Sequence, residues 1–185
     1  MVALPPVIGH RGAAQLAPEN TLAGFRAAHA AGARWVEFDV RLSRDRRCVV
    51  IHDVTVERFN GRKARVSRQS LDQLRALDAG GWFDPAFAGE AVPELGEALD
   101  FLAGLGLGAN IELKSIGRLG RVLAEATVDI VHRRRRRGCP DVLVSSFSPA
   151  LLGAVREADR HIPLGLLMRS PRPDWRYRLR ALGCT

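Results

Sequence analysis

The stretch Trp35-Val36-Glu37-Phe38-Asp39-Val40 is an apolar run that is interrupted by two acidic residues. In a β-strand, residues two apart point to the same face, so Glu37 and Asp39 would lie side by side. Burying unpaired carboxylates is costly, and a divalent cation that binds their oxygens would remove that cost. The alternative is a pair of salt bridges, for example to Arg11 and Lys114. The stretch therefore predicts a buried strand with either a metal site or an ion-pair cluster on one face.

Similar apolar runs recur along the chain and alternate with helix-like segments. Strands are predicted at 7–9, 35–40, 49–51, 109–113, 142–144 and 162–167, and helices at 21–31, 70–77, 94–103, 119–137, 149–158 and 175–182. This β-α series predicts a parallel sheet covered by helices, and both a doubly wound sheet and a β/α barrel fit it. Residues 53–92 fit neither repeat, and we interpret them as a small insertion after the third strand.

Polar residues follow several of these predicted strands at the point where each strand ends. His10 and Arg11 follow the first strand, His52 follows the third, and Glu112 and Lys114 end the fourth. The active sites of doubly wound sheets and of β/α barrels form at the carboxyl ends of the strands. We therefore expect these side chains to meet the two carboxylates of the second strand on one rim.

Carboxylates and cations at one rim indicate chemistry on a phosphate group. Glu112 would complete a three-carboxylate site with Glu37 and Asp39, and oxygen-only ligands favour Mg²⁺ or Ca²⁺ over Zn²⁺. The guanidinium of Arg11 can donate a planar fork of hydrogen bonds to phosphate oxygens, and Lys114 adds a compact positive charge. Together they suit phosphoryl transfer, in which negative charge on oxygens must be neutralised.

Two of the five histidines lie on the predicted rim. A single histidine after a strand is more often structural than catalytic, but His10 and His52 beside a carboxylate cluster favour a general acid and a general base. The other histidines lie in helix-like or surface contexts, and we interpret them as bystanders; they are His29, His132 and His161.

Length and composition indicate one globular domain. The chain has 185 residues, of which 46% are hydrophobic and 26% charged. This balance argues against disorder over the whole chain. Its apolar runs fall short of the ~18–20 residues that span a bilayer, and the N-terminus does not resemble a signal peptide. The three cysteines, Cys48, Cys139 and Cys184, form no C-x-x-C pair, which favours free thiols in a reducing compartment. These features predict a cytoplasmic protein without a membrane partner.

The formal net charge of +8 comes almost entirely from arginine, since Lys63 and Lys114 are the only lysines. Such a charge is either a compositional bias with solvated side chains or a field that attracts an anionic ligand. The run Arg133–Arg137 raises a nucleic-acid-binding interpretation, but it lacks interleaved aromatic residues and a recognised binding motif. Charge alone does not choose between nucleic acid and a small phosphodiester as that ligand, but the lack of a binding motif leads us to expect no nucleic-acid partner.

Several motifs, in this order, resemble those of the glycerophosphodiester phosphodiesterases. Gly9-His10-Arg11-Gly12, which is followed by Pro18-Glu19-Asn20-Thr21, resembles the opening signature of that family. The later motifs are similar to Val36-Glu37-Phe38-Asp39-Val40, Val49-Val50-Ile51-His52-Asp53, Asn110-Ile111-Glu112-Leu113-Lys114 and Ser145-Ser146-Phe147-Ser148. The segments Pro93-Glu94-Leu95 and Glu97-Ala98-Leu99 match the helix before the fourth strand. The resemblance covers nearly the whole chain.

The resemblance implies a TIM-type β/α barrel of the phosphodiesterase and phospholipase C-like superfamily. It also implies metal-dependent hydrolysis of glycerophosphodiesters to sn-glycerol 3-phosphate and an alcohol, in glycerophospholipid degradation. The implied cofactor is one divalent cation, Mg²⁺ or Ca²⁺. The implied site has catalytic His10 and His52, metal ligands Glu37, Asp39 and Glu112, and substrate-binding Arg11 and Lys114, with Glu19 supporting Arg11.

Compared with the family, residues 1–185 supply about six of the eight strands of a barrel. We therefore expect one domain that lacks its C-terminal strands and exposes unpaired sheet edges, which promote self-association. This expectation leaves two alternatives open beside the active enzyme. One is a catalytically silent truncated remnant, and the other is a related phospholipase-type phosphodiesterase.

Overall fold

The computed structural model describes residues 3–114, 117–135, 138, 140–170 and 173–184. Within these residues lie six strands: β1 (Gly9–His10), β2 (Trp35–Leu42), β3 (Cys48–Val50), β4 (Gly108–Leu113), β5 (Val142–Ser146) and β6 (Leu164–Leu166). The same residues contain seven α-helices: α1 (Leu22–Ala30), α2 (Glu57–Asn60), α3 (Leu71–Arg75), α4 (Leu95–Leu105), α5 (Gly120–Arg135), α6 (Pro149–Ala158) and α7 (Trp175–Leu182).

The strands form one sheet in the order β1-β2-β4-β5-β6, and all neighbours along this path are parallel. In contrast, β3 pairs antiparallel with the end of β2, with Val40 opposite Val50 and Leu42 opposite Cys48. The expectation that the third strand continues the parallel series is therefore wrong. Residues 43–47 are long enough for a hairpin, whereas a parallel connection needs about a dozen residues or more.

The helices cover the apolar face of the sheet. Phe25 of α1, Phe38 of β2, Leu99 of α4 and Ile111 of β4 are fully buried in one hydrophobic cluster. The rings of Phe25 and Phe38 lie 5.3 Å apart. Nearly continuous burial along β2, β4 and β5 is typical of parallel strands that are covered on both faces. This packing holds the strand ends at a common rim.

Residues 53–92 build a separate small cluster against β3. Its buried members are Val49, Ile51, Val56, Val66, Leu74, Ala79 and Val92. The helix predicted at 70–77 is shorter, and α3 begins after Ser70, whose Oγ accepts a hydrogen bond from the Gln73 amide. The short turns around α2 and α3 thus pack against the hairpin of β2 and β3, next to the rim where His52 lies.

Local boundaries differ modestly from the prediction at the two edges of the described sheet. The first strand is Gly9–His10, so His10 lies within the strand and pairs with Glu37. At the other edge, β6 begins only at Leu164, because Pro163 has no amide hydrogen to add to the ladder.

The arginine run and the cysteines fall partly within the described residues. Arg134 pairs with Asp100 at 3.1 Å and Arg135 with Asp159 at 3.6 Å, whereas Arg136 and Arg137 lie outside the described part of the chain. Cys48 and Cys184 are free thiols, and Cys139 also lies outside it. No helix of the described chain is sufficiently long and apolar to cross a bilayer.

Candidate active site

The strand register brings three carboxylates together at the rim. Asp39 lies directly opposite Glu112 on the neighbouring strand, and Glu37 precedes Asp39 on the same face of β2. One oxygen from each of the three lies within 4.8 Å of the others. The residues are only 9%, 1% and 7% exposed for Glu37, Asp39 and Glu112. The predicted proximity of these carboxylates is therefore present in the structure.

Backbone and amide groups hold two of these carboxylates in place. The Asn20 side-chain amide donates to Asp39 Oδ2 at 2.9 Å, and its carbonyl oxygen accepts from the Asp39 amide at 3.1 Å. The Arg11 amide donates to Glu37 Oε2 at 3.0 Å. Asn20 adopts a left-handed φ of 58°, which asparagine tolerates better than most residues. The sequence placed Asn20 near a helix start and did not identify it as a support of the site.

Two cations lie among the carboxylates, as the salt-bridge alternative required. Lys114 Nζ lies 3.0 Å from Asp39 Oδ1 and 3.2 Å from Glu112 Oε1, and Arg11 Nε lies 3.4 Å from Asp39 Oδ2. The Lys114–Asp39 approach fits an ion pair but not a directed hydrogen bond, so Asp39 Oδ1, like Glu37 Oε1, has no hydrogen-bond donor in the described chain. Arg11 is also shared with Glu19 at 3.1 Å. With all three carboxylates ionised, the two cations therefore leave one negative charge uncompensated.

Burial and mutual repulsion make this charge costly. Burial, with added repulsion from Asp39, raises the pKa of Glu37 from its ordinary 4.5 to about 8. Burial also raises the pKa of Glu112, although Lys114 partly offsets it. Carboxylate oxygens that are buried, close together and without donors fit a hard divalent cation, and oxygen ligands suit Mg²⁺ or Ca²⁺. Glu37, Asp39 and Glu112 would be the residues that hold it.

The raised pKa of Glu37 predicts how the metal-free protein responds to pH. Folded Glu37 holds its proton up to about pH 8, whereas the unfolded residue releases it near 4.5. Its contribution to stability is therefore complete below pH 4.5 and is lost as the pH rises through about 8. Glu37→Gln should remove this loss, because glutamine stays neutral.

Thermal unfolding in EDTA at pH 5 and pH 8 would measure this effect. We expect the free energy of unfolding of wild type to fall by at least about 1.4 kcal/mol more than that of Glu37→Gln over this range. This is the free energy that corresponds to a pKa shift of one unit. Glu125→Gln, an exposed change on α5, is the matched control and should follow wild type. Equal losses in wild type and Glu37→Gln would show that Glu37 is ionised throughout.

The two histidines predicted to act in catalysis flank the carboxylates in different environments. His10 Nε2 lies 3.9 Å from Glu37 Oε2, and its side chain is 70% exposed. Partial burial and the neighbouring Arg11 guanidinium lower the pKa of His10, which favours a neutral ring that can accept a proton. His52 Nδ1 lies 2.8 Å from Asp53 Oδ1 and is half-buried. Each histidine thus has an acidic neighbour, and within the described part of the chain only His52 is held by a hydrogen bond.

Two arginines that the sequence did not single out also reach this rim. Arg41 Nε donates to the His52 carbonyl at 2.8 Å. Arg58 of α2 bridges Asp53 and Glu19, at 2.9 Å and 3.1 Å. Arg41 could have been identified from the sequence, because it lies two residues after Asp39 along β2 and therefore on the same face. Arg58 lies in an irregular segment whose sequence pattern predicted no place in the fold.

A cavity of about 690 Å³ opens beside Glu112 and Lys114. Its far wall includes Phe147, from the loop between β5 and α6, and Met168, from the loop after β6. Phe147 is 51% exposed, which leaves its ring available to a ligand. The cavity could therefore hold a small phosphodiester with its phosphate near the acidic cluster.

Parallel strands covered by helices, with an acidic rim that could hold a metal ion, are typical of α/β proteins of the barrel type. The chain belongs to the glycerophosphoryl diester phosphodiesterase family, whose model matches residues 10–185. Family membership confirms the resemblance that its motifs indicated.

Two solved structures and one curated relative illustrate the similarity. An Oleispira antarctica phosphodiesterase, solved in complex with the product sn-glycerol 3-phosphate, is 34% identical with a TM-score of 0.91 and matches 98% of this chain and 73% of its own. A glycerophosphodiester phosphodiesterase from Agrobacterium tumefaciens is 29% identical with a TM-score of 0.74, over 95% and 82% of the two chains. These similarities confirm the TIM-type barrel class.

The curated relative is a glycerophosphodiester phosphodiesterase from Caldanaerobacter subterraneus subsp. tengcongensis. It is 36% identical over 161 residues, which are 87% of this chain and 65% of the relative. The chain thus spans about two thirds of the length of that enzyme.

Proposed function

We propose that the protein hydrolyses glycerophosphodiesters to sn-glycerol 3-phosphate and an alcohol, with one Mg²⁺ or Ca²⁺ ion. The observation that carries this proposal is the buried triad of Glu37, Asp39 and Glu112, flanked by two histidines and two cations. Family membership and the product bound by the Oleispira antarctica neighbour support the substrate class. When bound, the cation would neutralise charge on the phosphoryl oxygens.

The protein's own residues would then supply binding and proton transfer. Arg11 and Lys114 bind the remaining phosphoryl oxygens, since both lie at the triad with their charges partly shared. His10, whose pKa is lowered, takes the proton from the attacking oxygen. His52 gives a proton from Nε2 to the leaving alcohol, and the Asp53 carboxylate stabilises the charged ring. Two imidazoles in different environments therefore take the two opposite roles.

The wider setting follows from the same proposal. Residues 1–185 would act as a single domain in which residues 53–92 are an insertion beside the active site. The reaction would belong to glycerophospholipid degradation in the cytoplasm. Self-association through the sheet edges at β1 and β6 stays a prediction, which size-exclusion chromatography would test.

The test is release of glycerol 3-phosphate from glycerophosphocholine by the purified protein. We expect release with Mg²⁺ or Ca²⁺, none in EDTA, and none from His10→Ala with either ion. His10→Ala should still bind the ion, because the carboxylates that hold it are unchanged. Release that continues in EDTA would contradict metal dependence. A folded, metal-loaded protein that is inert towards glycerophosphocholine and other glycerophosphodiesters would overturn the proposed function.

A further inference from the structure

A chain of alternating charges links the two sides of the candidate site through the 53–92 segment. It runs from His52 to Asp53, from Asp53 to Arg58, from Arg58 to Glu19, and from Glu19 to Arg11. Each side chain is between 17% and 32% exposed, so the chain is partly shielded from water. At its far end, Arg11 reaches Asp39 of the carboxylate triad at 3.4 Å.

Arg58 is the central member of this chain, and three contacts define its position. One guanidinium nitrogen lies 2.9 Å from Asp53 Oδ2, and another lies 3.1 Å from Glu19 Oε1. The guanidinium carbon lies 4.8 Å from the centre of the Trp82 ring. Trp82 is itself anchored by a 2.8 Å hydrogen bond from its indole nitrogen to the Ala79 carbonyl. The planar fork that bridges two carboxylates requires arginine, because a lysine ammonium can approach an aromatic ring but has no such fork.

The contact with Arg58 determines how Asp53 meets His52. Asp53 has Oδ2 on Arg58 and Oδ1 on His52 Nδ1, so both oxygens are engaged and the carboxylate cannot turn. Burial alone would raise the pKa of Asp53, but the His52 hydrogen bond and the charge of Arg58 outweigh it and lower the pKa. An ionised carboxylate only accepts hydrogen bonds, so the neutral His52 ring carries its hydrogen on Nδ1.

The other ring nitrogen of His52, Nε2, is therefore available for proton transfer. His52 Nε2 has no hydrogen-bond partner among the residues that the structure describes. With its hydrogen on Nδ1, the neutral ring presents a lone pair at Nε2 and, after protonation, an acidic hydrogen there. Rotation of Asp53 would release the ring and allow the opposite tautomer, which cannot take up a proton at Nε2.

We infer that Arg58 is a positioning residue, which acts through Asp53 to hold His52 in the tautomer and orientation that leave Nε2 free. Trp82 holds Arg58 in turn, so the segment 53–92 contributes to the active site without touching substrate. This inference rests on the proposed function only for its effect on rate. Its structural part concerns the His52 ring and can be measured without substrate.

The first measurement is the ring-nitrogen NMR spectrum of protein labelled with ¹⁵N-histidine, with His52 assigned from the spectrum of His52→Ala. We expect wild type to show the Nδ1–H tautomer of neutral His52. Arg58→Gln should shift the ring towards a mixture of tautomers, and Arg58→Lys should lie between the two because it keeps the charge but not the fork. The matched control is Arg62→Gln, because the Arg62 side chain is exposed and has no ion pair in the described chain.

The second measurement is a double-mutant cycle on the kinetics of glycerophosphocholine hydrolysis. Removing a group that orients a functional side chain typically costs about 10–100-fold, so we expect this loss in kcat for Arg58→Gln, with KM nearly unchanged. Asp53→Asn should cost at least as much. Arg58→Gln added to Asp53→Asn should cost less than about twofold more, because the two residues act as one unit.

The outcomes separate this inference from other roles of Arg58. An unchanged His52 spectrum in a folded Arg58→Gln protein, or fully additive losses with Asp53→Asn, would overturn it. A rise in KM with kcat unchanged would instead assign Arg58 to direct substrate binding. If wild type is inert towards glycerophosphodiesters, the proposed function fails, and the NMR spectra still decide whether Arg58 positions His52.

Discussion

His52→Ala is expected to lower kcat for glycerophosphodiester hydrolysis by ~10²–10⁴-fold, the usual contribution of a general acid or base. The reason is that His52 is the imidazole which the structure holds by a hydrogen bond, with Nδ1 2.8 Å from Asp53 Oδ1. Alanine removes the proposed proton donor for the leaving alcohol but leaves the carboxylate triad intact. Steady-state kinetics with Mg²⁺ or Ca²⁺, together with calorimetric titration of the ion, would measure both effects.

A matched control separates loss of chemistry from loss of fold. His29→Ala removes an exposed imidazole from α1, away from the rim, and should keep the wild-type rate. A poorer leaving alcohol should slow His52→Ala more than wild type, because the proton matters most for the worst leaving group. A loss of only about tenfold would be too small for acid catalysis and would remove His52 from that role.

Asp39→Asn is expected to abolish both divalent-cation binding and hydrolysis. Asp39 is the most deeply buried member of the triad at 1% exposed, and its carboxylate is the one that contacts Asn20, Arg11 and Lys114 together. Asparagine has nearly the same shape and can still accept from Asn20, but it cannot balance the two cations or supply an anionic ligand. We expect the affinity for the ion to fall by more than ~100-fold, beyond the cost of losing a group that only orients a ligand.

Thermal unfolding gives this prediction a readout that does not depend on activity. An ion at about 100 times its Kd stabilises the folded protein by ~2.7 kcal/mol, so Mg²⁺ or Ca²⁺ should raise the Tm of wild type. Asp39→Asn should show no such rise, whereas Asp129→Asn, an exposed change on α5, should keep it. A wild-type rise in Asp39→Asn would place the ion elsewhere or show that Glu37 and Glu112 suffice.

Much of the site could be predicted because the positions of its residues follow from their spacing along individual strands. A period of two along β2 puts Glu37 and Asp39 on one face, and the structure shows them so. Glu112 and Lys114 end a predicted strand, and parallel strands end at a common edge. Both residues were therefore expected at the same rim, where they lie. The salt bridges offered as the alternative to a metal are also present, since Arg11 and Lys114 both contact Asp39. The two interpretations of the pattern describe one cluster.

Other features of the site depend on contacts that no local period encodes. Asn20 supports Asp39 from 19 residues away, and it does so in a left-handed conformation at the end of a loop. Arg58 enters from a segment without regular periodicity, and its partner Glu19 is distant in the chain. The direction of β3 was missed because an apolar run of three residues has the same composition in a parallel and an antiparallel strand.

Residue order alone was enough to derive the alternation of strands and helices, the apolar and acidic faces of β2, and the family to which the chain belongs. These depend on residue type and on spacing along the chain, which the sequence states directly. The three-dimensional structure was needed to establish the antiparallel pairing of β3, the support of Asp39 by Asn20, and the bridge from Arg58 to Asp53 and Glu19. It also decided the raised pKa of Glu37, because burial and repulsion between charges depend on distances through space.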